Sequence, residues 1–459
     1  MNDKKNVRAS SRVDGVYTAP WERALNKVLT PFEEFIHRQT TSGLLLMFTA
    51  VLALVLANSP LAYLYQQIQH LNIGINIGNW TLESSLHHWV NDGLMALFFF
   101  VVGLELKREI MTGELSNPRQ AALPIVAAIG GMVIPALIYF SVNPEGDAAR
   151  GWGIPMATDI AFALGAIALL ANRVPRALIT FLVALAIVDD LGAVIVIAVF
   201  YTETISINAL VAAVFIFGLL MLLNVTGIRK ITPYFILAIF LWYAMFQSGV
   251  HATLAGVLGA FSVPARPKYN PVRFSQQVRE LMERFDASHV PGKSIMTNEK
   301  LRAIVQTLGN GVHLVEAPLQ RLEHAWHLPV AYLVIPIFAL FNAGIPLDLS
   351  NVGQTLMHPV TLGVSLGLIA GKVIGIAGGC WIALKLNIGQ LPAETRFTQI
   401  IGVSLLGGIG FTMSIFIAEL GFAHQPELLL MAKTGILFAS LAAGVTGFIW
   451  LYLAGNKNT

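Results

Sequence analysis

Ala177-Leu-Ile-Thr-Phe-Leu-Val-Ala-Leu-Ala-Ile-Val-Asp-Asp-Leu-Gly-Ala-Val-Ile-Val-Ile-Ala-Val-Phe200 is an apolar run that carries two adjacent carboxylates, Asp189 and Asp190. Such a run is long enough to cross a bilayer, which takes about 20 residues of helix. A charge near the bilayer centre costs at least ~2.5–3.5 kcal/mol, so two neighbouring ones call for a compensating cation or proton.

Composition extends this reading to the whole chain. Its 459 residues are 55% hydrophobic and 12% charged, with a mean hydropathy of +0.67. Soluble domains carry about 25% charge. Apolar segments recur from Thr41 to Leu453, and their lengths and breaks predict twelve spans: 42–58, 90–105, 121–140, 154–171, 177–200, 206–224, 232–247, 251–264, 329–345, 360–384, 398–420 and 430–453. The first lies behind a charged leader (residues 1–40), too deep in the chain for a cleaved signal peptide, so the leader is expected to be retained. Cys380 is the only cysteine and rules out an intrachain disulfide.

Lys and Arg set the orientation. The leader holds Lys4, Lys5, Arg8, Arg12, Arg23, Lys27 and Arg38, whereas residues 58–105 contain neither type. Lys107, Arg108 and Arg119 follow, then Arg173 and Arg176, Arg229 and Lys230, the basic stretch 265–325, Lys385 and Arg396, and Lys457. The opposite connections hold only Arg150 and Lys433. Both termini, including the tail 454–459, are therefore expected in the cytoplasm.

Two segments lie outside the spans. Leu71-Asn-Ile-Gly-Ile-Asn-Ile-Gly-Asn-Trp-Thr-Leu82 alternates Ile with small or polar residues around a Gly78-Asn79 turn signal. It reads as an external β-hairpin, or else as an ordinary ordered loop. A lone hairpin is marginal in water, so residues 71–82 are a candidate for pairing with a second chain. The polar segment 265–325 contains an amphipathic helix candidate at Phe274–Phe285 and reads as an interfacial or regulatory insert.

The ionisable residues at membrane depth carry the chemistry: Asp159, Asp189, Asp190 and Lys372. Asp159 lies 15 residues before Val174 and Asp190 lies 16 after it. At 1.5 Å per residue both stand about 22–24 Å from that turn. Lys372 lies 13 residues before Lys385, about 20 Å up its own helix. Three carboxylates and one ammonium thus share a layer with two excess negative charges, a site that demands protons or metal cations. Where both supply the charge they compete, and competition with alternating access is exchange. Neighbouring helix positions point about 100° apart. One of Asp189 and Asp190 is therefore expected to line a cavity while the other meets Lys372 or a neighbouring helix. Thr158 offers a hydroxyl oxygen of the kind that hard cations favour, and no Cys/His cluster near these residues suggests a transition metal.

Gly151-Trp-Gly-Ile-Pro155 precedes Thr158-Asp159, and Gly407-Gly-Ile-Gly-Phe-Thr-Met-Ser414, with Gly408 and Gly410, falls in mid-span eleven. Irregular backbone at that depth is tolerated only where protein or a water-filled cavity covers it. Gly371, Gly375, Gly378 and Gly379 would let span ten approach a neighbour closely. Spans 3–5 and 10–12 each place an interrupted helix second, which fits an inverted repeat; glycine used for packing alone explains the runs equally well.

Ala157-Thr-Asp-Ile-Ala-Phe-Ala-Leu-Gly165, Ala186-Ile-Val-Asp-Asp-Leu-Gly-Ala193, Ser248-Gly-Val-His-Ala-Thr-Leu-Ala-Gly256, Gly408-Ile-Gly-Phe-Thr-Met-Ser-Ile-Phe-Ile417, Gly103-Leu-Glu-Leu-Lys-Arg-Glu109 and Leu322-Glu-His-Ala-Trp-His327 closely resemble the NhaA-type sodium/proton antiporters over roughly residues 35–264 and 318–453. That family is itself a known example of transporters built from inverted repeats with broken helices, so the repeat here is implied by the resemblance. The resemblance implies an all-α polytopic fold of about twelve helices, with helices four and eleven broken and crossing at mid-membrane. It implies a core bundle (121–200 and 360–453) that moves against an interface bundle (41–105 and 206–345), a homodimer, and a bacterial inner-membrane location. The activity implied is electrogenic export of Na⁺ or Li⁺ against a larger number of entering protons, activated at alkaline pH, by a secondary transporter and not an enzyme. By resemblance Asp189 and Asp190 hold the ion with Thr158 beside them, Asp159 lies between helix termini, and Lys372 pairs with an aspartate, foremost Asp189. Glu105, Arg108, Glu109, Glu323, His324 and His327 match a cytoplasmic pH-response cluster. His251 matches a histidine linked to the pH profile, with a packed histidine at a helix start as the alternative. No cofactor beyond the transported ions, no nucleic acid, and lipid as the surroundings complete the expectation. The extended leader and the insert of about fifty residues between spans eight and nine depart from the compact family pattern.

An intramembrane aspartyl protease would also need two membrane aspartates, but its Tyr-Asp and Gly-x-Gly-Asp motifs are missing from these spans. A passive channel or a cation-coupled solute symporter of related fold is the other alternative; a channel would not move protons uphill on a sodium gradient.

Overall fold

The computed structural model describes residues 31–77, 80–202, 205–267, 271–288, 298–346 and 352–455. Helix α1 (Pro31–Ala57) and the short α2 (Ala62–Gln69) lead into strands β1 (Asn72–Ile77) and β2 (Trp80–Ser85). The strands pair antiparallel from Asn72↔Ser85 to Ile77↔Trp80, so the segment expected as a hairpin is one. Its Gly78-Asn79 turn lies outside the described residues.

The long helices follow: α3 (Leu86–Thr112), α4 (Pro118–Val142), a 3₁₀ turn (Asp147–Met156) leading into α5 (Ile160–Ala168), α6 (Arg176–Phe200), α7 (Ile207–Val225), α8 (Ile231–Ser248) and the short α9 (Leu254–Ser262). Next come α10 (Pro271–Ala287) and α11 (Glu299–Val315), then α12 (Pro318–Asn342), α13 (Val352–Met357), α14 (Pro359–Lys385), α15 (Phe397–Leu406), α16 (Phe411–Gly421) and α17 (Pro426–Ala454). Among the described residues, ten helices are long and apolar enough to cross a membrane, and the pair α15–α16, bent by 48°, makes an eleventh span. The fold is thus all-α and polytopic, apart from the one hairpin.

The expected eighth span differs from the rest. Gly249 ends α8 in the left-handed conformation (φ 80°), the backbone then turns through His251, and α9 has nine residues. At 1.5 Å per residue it reaches about 14 Å, roughly half of the ~30 Å hydrocarbon core. Three boundaries also shift. The helix containing span one already begins at Pro31, α3 runs on through Lys107-Arg108-Glu109, and α12 begins at Pro318 inside the segment read as insert. The described residues of the insert are largely helical. The expected amphipathic helix is α10, and its Phe274 ring lies against Gly311 of α11, a helix whose mixed polarity did not announce it.

Close packing of α4 on α14 positions the centre of the molecule. A Cβ on Gly375 would stand 2.2 Å from the Gly130 carbonyl oxygen, and one on Gly371 would stand 2.7 Å from Pro135 Cα. Gly379 meets the Val126 carbonyl in the same way, one turn further on. Side chains at four-residue spacing share a helix face, so glycine at 371, 375 and 379 lets the two backbones touch. Gly378 is off this face and meets open space. Within α14 the residues Gly367–Gly371 form a π-turn directly before Lys372, which rotates the following turn relative to an uninterrupted α-helix.

Candidate ion-exchange site

Both interruptions fall where the glycine and proline pattern placed them, and they bind each other. Residues 157–159 are extended between the 3₁₀ turn and α5, and Gly407–Gly410 separate α15 from α16. Asp159 N donates to Ile409 O (2.7 Å), Thr158 Oγ1 donates to Gly407 O (2.8 Å), and Ser414 Oγ donates to Ile154 O (2.8 Å). Unwinding leaves backbone groups without helical partners, and here each break satisfies the other. Gly408 and Gly410 are required by contact. A Cβ on Gly408 would stand 2.5 Å from Leu368 O, and one on Gly410 would meet the Ser414 hydroxyl and lie 3.0 Å from Ala157 O.

Asp159 sits where two helices begin. It caps α5, accepting from Phe162 N at 3.1 Å. Its other carboxylate oxygen accepts from Thr412 N of α16 at 2.8 Å and from the Thr412 hydroxyl. Each helix N-terminus carries roughly half a positive charge, so two of them offset one carboxylate. Sequence reasoning assigned no role to Thr412 or Ser414; the hydroxyl pattern at the start of α16 is the signal that could have found them.

Asp189 and Asp190 are fully buried on α6, and Lys372 of α14 is fully buried as well. Lys372 Nζ donates to Asp189 Oδ2 at 2.6 Å. Among the described residues, the remaining oxygen of Asp189 and both oxygens of Asp190 have no hydrogen-bond partner. Thr158, also fully buried, lies beside Asp189 and spends its hydroxyl proton on Gly407, which leaves its oxygen lone pairs free to accept. Asp190 is within electrostatic range of Asp189, Asp159, Glu105 and Lys372. The fold therefore brings together all four charges expected to share one layer.

The charge count sharpens with these contacts. Two helix termini offset Asp159 and Lys372 offsets Asp189, which leaves Asp190 as the uncompensated carboxylate. A buried charge without a partner is strongly unfavourable. Three orphaned carboxylate oxygens and a hydroxyl oxygen form an all-oxygen donor set suited to a hard cation and equally able to take a proton.

A second group of charges lies at the end of the bundle that carries the insert. Arg108 pairs with Glu323 and lies 3.1 Å from Glu109, Glu109 accepts from Glu114 N at 3.1 Å, and His327 Nε2 is 3.8 Å from Glu105. Glu105, Arg108, Glu109, Glu323 and His327 are thus brought together, whereas His324 is exposed. A cavity of about 110 Å³ lined by Gln39, Glu105, Arg108 and His327 extends to Ile160 and Ile187, neighbours in sequence of the buried aspartates. His251 is not part of this group. It follows the far end of α8, with Nε2 3.0 Å from Tyr201 O.

Similarity to known proteins agrees with this geometry. Residues 33–451 match the family described as Na⁺/H⁺ antiporter 1. The chain is 57% identical over 439 residues to Na⁺/H⁺ antiporter NhaA 1 of Saccharophagus degradans, covering 96% of this chain and 95% of that protein. It is 53% identical over 441 residues to Na⁺/H⁺ antiporter NhaA of Sulfurimonas denitrificans, covering 96% and 99%. With Na⁺/H⁺ antiporter NhaA of Syntrophobacter fumaroxidans it shares 51% over 439 residues, covering 95% and 93%. A match across nearly the whole chain, on a fold whose two broken helices meet at buried carboxylates, leaves one assignment: the chain belongs to the NhaA family of Na⁺/H⁺ antiporters.

Proposed function

We propose that the protein exports Na⁺ or Li⁺ in exchange for protons by alternating access, with the two cations competing for Asp190 and the free oxygen of Asp189. The observation that carries this reading is the pair of fully buried, unpartnered Asp190 oxygens beside a lysine-bound Asp189. A proton or a monovalent cation each removes the single uncompensated charge, so occupancy by one excludes need of the other. A cation that draws on Asp189 weakens its hold on Lys372, which then releases a proton of its own. More protons than metal ions would move per cycle, and the exchange is electrogenic.

In this reading the insert-bearing end is cytoplasmic, in keeping with the Lys/Arg distribution, and both termini lie on that side of a bacterial inner membrane. The bundle 121–200 with 360–453 moves against 41–105 with 206–345. The charge group around Arg108, above the cavity toward Ile187, makes activity rise at alkaline pH. The hairpin joins two copies, because a two-stranded sheet has unpaired outer edges.

Everted vesicles with an acidic lumen provide the test. Adding Na⁺ or Li⁺ should release protons, more strongly above neutral pH, and Asp190→Asn should abolish the release at wild-type expression. Wild-type exchange in that variant would refute the site.

A further inference from the structure

At the end of the bundle that carries the hairpin lies a polar group that the exchange site does not use. Lys433, near the start of α17, holds Glu419 of α16 at 2.5 Å, and both side chains are at least four-fifths buried, with 14% and 13% exposed. His87, in the first turn of α3, approaches the same Glu419 oxygen with Nε2 at 3.7 Å. The same Nε2 lies 3.1 Å from Asn342 Oδ1 at the end of α12.

The network identifies which imidazole nitrogen titrates. Asn342 Nδ2 donates to Asn91 Oδ1 (2.8 Å) and to Phe338 O (3.0 Å), so the amide oxygen is the atom turned toward His87. An amide oxygen only accepts, hence Nε2 carries a proton in either charge state and Nδ1 gains or loses the other. The charged groups facing His87 are Glu419, which attracts an imidazolium, and Lys433 and His70, which repel it. His88, the next residue, is engaged with Asp92 at 2.9 Å on its own helix.

The placement gives this group a mechanical meaning. His87 and Asn342 belong to the elements of the interface bundle, and Glu419 and Lys433 to those of the core bundle. Their contact crosses the boundary along which the two bundles would slide. We propose that His87, Asn342, Glu419 and Lys433 form a clasp that holds α3 and α12 against α16 and α17, that it must open when the exchange site turns to the hairpin side, and that protonation of His87 tightens it. This inference rests on the alternating-access reading above. His87 acts as a positioning residue, since it touches no transported ion. Acidity on the hairpin side would then slow the cycle independently of proton competition at Asp190.

Two measurements test the clasp. In right-side-out vesicles the bath meets the hairpin face, and its pH is varied while the lumen is held constant. His87→Gln keeps a neutral donor toward Asn342, and its exchange should match wild type at alkaline bath pH and exceed it by roughly fivefold or more at the acidic end of the series. Wild-type and variant rates that stay parallel across the series would overturn the role of His87. Next, His87→Cys with Glu419→Cys is tethered by a short bis-methanethiosulfonate reagent, Cys380 being fully buried, with each single-cysteine variant as control. Exchange should be lost on tethering and return on reduction; undiminished exchange in the tethered protein would overturn the clasp. Failure of untreated wild type to exchange at all would instead refute the antiport reading, so the two failures are distinct.

Discussion

Replacing Asp159 by asparagine keeps the side-chain shape and removes the charge where two helices begin. The carboxylate accepts from Phe162 N at 3.1 Å and Thr412 N at 2.8 Å, with the Thr412 hydroxyl as a third donor. Asparagine has one acceptor oxygen, so its NH₂ confronts a donor whichever way it is turned. Losing a charge-assisted hydrogen bond costs about 1.5–3 kcal/mol, and removing an anion from a partly buried helix N-terminus costs up to ~2 kcal/mol. The same N–H groups carry both effects, so the contributions overlap and the expected loss is about 3–4 kcal/mol. For a chain of 459 residues that corresponds to a melting shift of about 3–4 °C. The assay is thermal melting of the purified protein in detergent, together with the Na⁺ dependence of exchange in vesicles. Exchange should persist with weakened apparent Na⁺ affinity. A melting temperature within ~1 °C of wild type would refute the helix-terminus role. Abolished exchange in an equally stable protein would make Asp159 a principal ion ligand.

Gly375→Ala would place a methyl 2.2 Å from the Gly130 carbonyl oxygen, forcing α14 from α4 by about 1 Å at an overpacking cost of ~1–3 kcal/mol. Because Lys372 lies three residues away on the same helix, both melting temperature and Na⁺ affinity should fall, whereas Gly378→Ala, which meets open space, should change neither; equal effects would refute the close-packing argument. Tyr65, on the hairpin side, donates to Leu340 O at 2.5 Å, and burial pushes its phenol from 10.0 up to about 12. A folded-state value above the unfolded one means that this contribution is complete below pH ~10 and is lost as pH rises toward ~12. Melting across that window should fall more steeply for wild type than for Tyr65→Phe, and identical slopes would count against the buried hydrogen bond.

Much of the site was legible because helical rise is nearly constant. Counting from Val174 and Lys385 placed Asp159, Asp190 and Lys372 at one depth, and the fold joins Lys372 to Asp189 in that layer. The breaks were legible for a related reason: Gly407, Gly408, Gly410 and Pro155 weaken helix locally. Other features depended on partners distant in sequence. Whether span ten's glycines touched anything depended on which helix lay opposite, and Gly378 turned out to face none. His324 and His327 are three residues apart, yet only His327 approaches Glu105. His87 and Glu419 carried no local signal, since each is a single polar residue near a helix end and their meaning comes from meeting across two bundles.

What the sequence alone determined is the membrane setting, the long spans, the hairpin and the depth of the charged layer, because hydropathy, helical rise and turn chemistry are local quantities. Tertiary structure decided how the charges are compensated. Asp159 became neutralised only when a second helix, more than 250 residues away, brought its own N-terminus to the carboxylate. Lys372 spends its hydrogen bond on Asp189. Electrostatic compensation depends on separation in space, which spacing along the chain constrains in depth but not across the bundle, and so the identification of Asp190 as the unpaired charge had to await the fold.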